Sequence, residues 1–353
     1  MDDSHHAADE RPTSERASTA TLADADADTA TLAVSVFNPS TGWRLPEEYV
    51  ERIRGVSDRV EVRDIPDRDQ LLETLPEIDY LVGFPVTDEE FSKRGGRLKW
   101  IQLTTASADM VLSMPSVMSS SVRITTAEGF QAKQRAEHAI MLMLALLRRL
   151  PRAFSAQLDH EWIAHELSSV VDDLSGKTVG VIGLGSIGHA IIERLRPFDC
   201  EILGGLGDPA DSIEGVGAIF PRTGLDELLS RSDIIVIATP LSPSVDGMLD
   251  RGLLGNLKRS ALLVNVSRAQ AWDETAVIDS ISRGRIAGLG LDVFSQSPLP
   301  ETSPLWRMSN AIITPRLGGV SPQYWRRATE CICTNLQRLE ANEPLHDEVQ
   351  RDQ

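Results

Sequence analysis

From Leu32 onward the chain alternates short apolar runs with amphipathic stretches. LAVSVF (32–37), VEVRDI (60–65), DYLVGF (79–84) and RLKWIQL (97–103) have the length and composition of buried strands, and helix-like segments such as DRDQLLETLPE separate them. Strand alternating with helix predicts a parallel sheet covered on both faces. AEHAIMLMLALLRRLP (136–151) is apolar nearly all round, which predicts a buried helix, stopped by Pro151, that acts as a spine between two domains. A second alternating series runs through KTVGVIGLG (177–185), CEILGG, DIIVIATP, ALLVNVS, IAGLGLDVF and AIITP. Two such series predict two doubly wound parallel-sheet α/β domains with a ligand cleft between them. Residues 1–31 carry almost no large apolar side chains and read as a disordered tail.

Composition narrows the function. A net charge of −17 over 353 residues argues against nucleic acid as a partner, because phosphates demand a basic surface. No apolar run is long enough to span a bilayer, and no basic-then-apolar leader is visible, so the expected location is cytoplasmic. Cys200, Cys331 and Cys333 have no framework spacing, so neither disulfides nor a metal site is expected, and His5 and His6 read as part of a solvated tail.

The hexapeptide GLGSIG (183–188) fits the dinucleotide-binding fingerprint. It follows the apolar run TVGVI and opens the helix-like HAIIERLRPF, the setting the motif requires. Gly183 allows a tight turn, Gly185 a close backbone approach to a pyrophosphate, and Gly188 close helix–strand packing; Ser186 and Ile187 begin the helix on whose N-terminus the phosphates sit. The acid expected on the ribose is displaced. The next strand ends near Gly205 and Leu206, leaving Asp208 as the candidate. No arginine lies nearby in sequence to take a 2′-phosphate, so NAD is expected over NADP, with NADP not excluded.

These motifs stand in an order that resembles the D-isomer-specific 2-hydroxyacid dehydrogenases. The resemblance rests on LKWIQLTTASAD (98–109), RAEHAIMLMLALLRRL, KTVGVIGLGSIG, LKRSALLVNVSRA (257–269), GRIAGLGLDVFSQSPLP (284–300) and AIITPRLGG (311–319), and spans about residues 32–340. It implies a flavodoxin-like substrate domain made from both chain ends (32–135 with 316–345), a central Rossmann domain (136–315, with 136–150 as interdomain helix), and a homodimer paired through the cofactor domain. It also implies that Arg268, in VNVSRA, binds the carboxylate of a small 2-keto or 2-hydroxy acid and polarises its keto oxygen, a task suited to a planar, permanently charged guanidinium. Thr239, Pro240, Val266, Asp292 and Gly318 would adjoin the cofactor. Gly83, Thr105 and Ser107 would receive the substrate carboxylate, and Phe84 and Pro85 would make one pocket wall apolar.

Ala269 stands where the family has glycine, a mild departure, and two further positions depart seriously from the family pattern. The proton-donating histidine is replaced by Arg316, and the acid that supports it by Ser297. A guanidinium does not give up a proton near neutral pH, so Arg316 cannot serve as a general acid. His138, His189, His160, His165 and Tyr324 are the other candidate donors. Three readings follow: an oxidoreductase whose second arginine grips an extra anionic group, one that draws its proton from water or another side chain, and an inactive NAD(H)-binding or regulatory protein on the same fold.

Overall fold

The computed structural model describes residues 29–38, 43–84, 86–105, 108–239 and 245–349. The first sheet holds β1 (Ala30–Val34), β2 (Val60–Asp64), β3 (Tyr80–Val82), β4 (Trp100–Gln102) and β5 (Arg123–Thr125) in the spatial order β2-β1-β3-β4-β5. All its pairings are parallel, with Leu32 of β1 opposite both Val62 and Tyr80. The second sheet holds β6 (Thr178–Ile182), β7 (Glu201–Gly205), β8 (Ala218–Phe220), β9 (Ile234–Ile237), β10 (Leu262–Asn265), β11 (Gly288–Leu291) and β12 (Ala311–Ile313). Its order is β8-β7-β6-β9-β10-β11-β12, again wholly parallel. Both orders are doubly wound, as the alternating pattern predicts, and each reverses direction at one point, where open α/β sheets bind ligands. The short edge strand β8 has no apolar run long enough to announce itself in sequence.

Helix α1 (Glu47–Arg54) covers the first sheet, and helix α2 (Glu128–Leu147) leaves β5 and crosses to the second. There it packs on helix α3 (Ser186–Leu195) and on β10, β11 and β12. The glycines of GLGL in β11 allow this approach: a Cβ on Gly290 would stand 3.0 Å from Leu142 Cβ. Two expectations need correction. The spine helix is exposed along Lys133, Glu137 and Met141, so it is buried on most of its circumference and not all of it. It also ends at Leu147, before Pro151. The chain turns at Arg149, in the left-handed region, and Pro151 lies in the first turn of the following helix, Leu150–Leu158, where its missing N–H costs nothing.

The C-terminal helix α4 (Tyr324–Glu340) returns to pack on α1 and α2. Beyond it, Val349 donates its N–H to Ile124 O at 2.9 Å, and Glu348 takes a two-pronged ion pair from Arg123 at 2.6 and 2.7 Å. The first sheet is therefore completed by the far end of the chain.

The N-terminal boundary also shifts. Ala30 and Thr31, placed in the tail by composition, are the first residues of β1, where backbone pairing and not side-chain size orders them. Thr31 N–H donates to Asp79 Oδ2 at 2.9 Å, and the buried Asp79 carboxylate also takes Arg97 at 2.9 Å. Burial alone would raise the Asp79 pKa, but Thr31, Arg97 and Lys99 outweigh it and hold it below the ordinary carboxylate value. A depressed folded-state value contributes stability that is fully present above the unfolded pKa of about 4 and is lost as pH falls from there through the folded value. Asp79→Asn should therefore cost roughly 1–3 kcal/mol at pH 7 in urea unfolding, and the gap to the native chain should narrow below about pH 4.

Candidate functional site

The turn after β6 is shaped by backbone contact. Gly183 has φ +101°, and a Cβ there would lie 2.6 Å from the backbone of Thr239, which follows β9. A Cβ on Gly188 would lie 2.0 Å from Gly183 O. Both positions require glycine, for the reasons the motif suggests. Gly185 is the N-cap of α3 without a side-chain cap, and Ser186 Oγ is buried with no hydrogen-bond partner among the described residues. Over this turn lies a crevice of about 760 Å³ bounded by Gly183–Gly185, Leu206 and Thr239. Glycine cradle, open helix N-terminus and orphaned hydroxyl together fit a dinucleotide. Ile187, in contrast, is buried in the packing of α3 on the sheet.

The ribose side differs from expectation. Leu206, with φ +65°, follows β7, and Asp208 spends Oδ1 on Ala210 N at 2.8 Å within its own turn. The acid that lines the crevice is Asp211, and Arg222, just past β8, lines it too with its side chain exposed. Arg222 was invisible to a search for neighbours along the chain, because parallel pairing of β8 with β7 is what brings it there.

The second cavity, a cleft of about 620 Å³, lies where the carboxyl ends of the two sheets face each other. The first sheet contributes Ser35 after β1, Gly83 after β3 and Thr105 beyond β4; the second contributes Arg268 after β10. Gly83, at φ +97°, admits no side chain, since a Cβ would fall 2.1 Å from Ser35 O. Phe84 forms part of an apolar wall. Arg316 and Arg135 of α2 complete the basic side. The cleft thus gathers Gly83, Thr105, Arg268 and Arg316, as the motifs suggest, and adds Arg135, which opens RAEHAIMLMLALLRRL but is given no site role by that motif. Ser107, Pro240 and Pro85 lie outside the described residues.

The loop carrying Arg316 is held by one carboxylate. Asp292, 1% exposed, accepts Leu317 N at 2.7 Å and Thr314 Oγ1 at 2.8 Å on Oδ1, and Gly318 N at 2.9 Å on Oδ2. His138 Nε2 lies 2.8 Å from Thr314 Oγ1 and 3.5 Å from Asp292 Oδ1. Burial holds the His138 imidazole below its ordinary value; Asp292 opposes this and Arg135 adds to it. Val266 O takes Arg135 Nη1 at 2.6 Å. Asp292 and Val266, assigned by resemblance to the surroundings of the cofactor, also hold this loop and this arginine.

Ser297 stands apart. It is exposed on the segment beyond Phe294 and does not line the cleft; two residues before it, Ser295 donates its N–H and hydroxyl to Glu274 Oε2 at 2.9 and 3.0 Å. Tyr324 donates its hydroxyl to Thr104 O at 2.8 Å, and burial pushes its pKa to about 12, with Gln131 opposing. His189 lines the dinucleotide crevice, and His160 and His165 are exposed. Among the described residues that line the cleft there is no histidine, aspartate or glutamate. No described group of three or more potential metal ligands comes together, and no described helix is long and apolar enough to cross a membrane.

The profile of the D-isomer specific 2-hydroxyacid dehydrogenase, NAD binding domain, matches residues 140–318. The chain belongs to this family. It is 32% identical over 302 residues to D-3-phosphoglycerate dehydrogenase of Mycobacterium tuberculosis, covering 84% of this chain but 56% of that protein, so it spans little more than half of that relative. Against glyoxylate reductase of Thermofilum pendens it is 30% identical over 309 residues, covering 82% of this chain and 90% of the relative. The NADPH-dependent glyoxylate/hydroxypyruvate reductase of Sinorhizobium meliloti, solved with NADP and sulfate, superposes with a TM-score of 0.76 at 25% identity, covering 91% of this chain and 98% of that one.

Within this family fold the Asp292 bonds make a direct prediction. Asp292→Asn turns one acceptor into an NH₂ group facing Leu317 N–H or Gly318 N–H and should destabilise the chain by roughly 1–3 kcal/mol in urea unfolding. Unchanged stability would show that the loop is held by other bonds.

Proposed function

We propose that the protein is an oxidoreductase that transfers hydride between a nicotinamide dinucleotide and a 2-keto or 2-hydroxy acid. The observation that carries this reading is the placement of Arg268: it follows β10 at the carboxyl edge of the second sheet, in a cleft it shares with Gly83 and Thr105 of the first. Reducing a keto acid needs a hydride at carbon and a proton at oxygen, and a reduced dinucleotide bound over the Gly183–Gly188 turn supplies the hydride. Arg268 receives the carboxylate, polarises the keto oxygen and bears the charge that develops on it. Gly83 and Thr105 bring backbone close to the same carboxylate. Arg316 cannot deliver the proton, so it comes from water in the cleft. Losing a positioned acid slows such a step by about 10²–10⁴-fold, and slow turnover is part of this reading.

The dinucleotide is NADPH at least as readily as NADH, because Arg222 in the crevice suits a 2′-phosphate. Two chains pair through the exposed apolar face formed by Phe154, Leu158 (81% exposed) and Trp162 (93%), a patch unusual for a monomer. The three cysteines are free thiols, which suits the cytoplasm.

Oxidation of NADH and NADPH with a panel of 2-keto acids tests the activity. Slow turnover is expected, reduced about 10²–10³-fold further in kcat/KM by Arg268→Met at unchanged melting temperature. Arg222→Ala should weaken NADPH more than NADH. A blank panel despite tight dinucleotide binding would establish the binding-protein reading, which the replacement of the histidine by Arg316 favours. Light scattering should give a dimer for the native chain and a monomer for Leu158→Glu; a native monomer would refute the pairing.

A further inference from the structure

We propose that Tyr324 is a positioning residue of the cleft: its hydroxyl ends a chain of hydrogen bonds, Val266–Arg135–Gln131–Tyr324–Thr104, that sets the carboxylate-receiving edge of the first sheet against Arg268 on the second. The proposal rests on the reading of Arg268 and Thr105 as groups that receive the substrate carboxylate.

The chain crosses from one sheet to the other. Val266 follows β10, two residues before Arg268, and its carbonyl accepts Arg135 Nη1 at 2.6 Å. One turn earlier on the same face of α2, Gln131 Oε1 accepts Arg135 Nη2 and Nε at 3.0 and 3.2 Å. The Gln131 side chain also bonds the Tyr324 phenol, and that phenol donates to Thr104 O at 2.8 Å. Thr104 and Thr105 line the cleft from the first sheet, as Arg268 does from the second. Tyr324, the first residue of α4, lines an adjoining cavity of about 420 Å³ and not the cleft itself. It therefore acts on a ligand of the cleft through the Thr104–Thr105 peptide.

Donor chemistry fixes the direction of every link. A guanidinium only donates, so the Gln131 atom it meets is the amide oxygen, and the amide NH₂ is left for Tyr324. The phenol oxygen accepts from Gln131, and its own proton goes to Thr104 O, which as a carbonyl only accepts. No link can reverse without setting donor against donor or acceptor against acceptor. Gln131 is buried, where such a mismatch is most costly. The Thr104–Thr105 peptide is trans and planar, so holding Thr104 O toward Tyr324 turns Thr105 N–H the opposite way. Edge contacts with Phe130 and Trp325, at centroid distances of 5.4 and 4.9 Å, hold the Tyr324 ring in place.

Two substitutions break the chain at different links. Tyr324→Phe keeps the ring and removes the last one; Gln131→Met keeps the side-chain length and removes the middle. Both, with the double variant and the native chain, are assayed for NADPH oxidation with the panel of 2-keto acids. Independently of turnover, oxamate, an inert analogue of a short 2-keto acid, is titrated calorimetrically into the NADPH-loaded proteins. Each single change should weaken oxamate and raise KM about tenfold, with kcat within about twofold and NADPH affinity unchanged. The double variant should be no weaker than the weaker single one, because the two residues act as one chain. The effect of Tyr324→Phe should be the same at pH 6 and pH 9, since a phenol with a pKa of about 12 keeps its proton at both. Unchanged oxamate affinity and KM in Tyr324→Phe overturn the proposal, as do losses that multiply in the double variant. A fall in kcat with loss of the alkaline limb of the pH profile would make Tyr324 the proton donor and overturn it too. Oxamate binding that depends on Tyr324 without turnover of any keto acid refutes the oxidoreductase reading and leaves the positioning role standing. A native chain that binds neither oxamate nor any acid of the panel overturns both.

Discussion

One buried carboxylate organises the candidate site. Asp292 has two backbone N–H groups and a hydroxyl on its two oxygens, all from the segment Thr314–Gly318. Those bonds add to Thr314 N–H on Leu291 O at 2.8 Å in fixing the segment at the mouth of the cleft. With them, Arg316 is held in a left-handed conformation that a residue other than glycine adopts only when its surroundings impose it. A scaffold detail thus becomes chemistry: the loop delivers a permanent cation, where an imidazole on the same loop would deliver a proton. The same carboxylate stands beside the His138–Thr314 contact, so the buried histidine belongs to the support of this loop.

Much of the fold was legible in sequence because hydrophobic period and glycine placement are local properties. The apolar runs located most strands, and the hexapeptide at Gly183 sat between strand and helix, where backbone contacts at 2.0 and 2.6 Å forbid a side chain. What could not be read were contacts set by tertiary pairing. Ala30 and Thr31 look like tail by composition yet pair with β2 through their backbone. Pro151 looks like a helix stop, but the chain had already turned at Arg149 and used the proline to begin the next helix. Arg222 reaches the dinucleotide crevice only because β8 pairs with β7, and Arg135 reaches the cleft only because α2 runs past the end of β10.

The site itself divides in the same way. Arg268, Arg316, Gly83 and Thr105 were named from motifs and share the cleft. Ser297 follows the family spacing but is exposed and does not line that cleft. Asp208 satisfies its own turn and leaves the crevice to Asp211. Each failure has one cause: spacing along a chain does not report the partner a polar group finds first. The losses at Arg316 and Ser297 are thus not a simple swap of one catalytic pair for another. Three arginines line the cleft, and Asp292 lines the cavity that adjoins it.

A crystal structure of the protein with NADPH and a 2-keto acid tests this account most directly. The account predicts the carboxylate of the keto acid on Arg268 and C2 about 3–3.5 Å from the nicotinamide carbon that gives up hydride. A ligand anchored without Arg268 would contradict it.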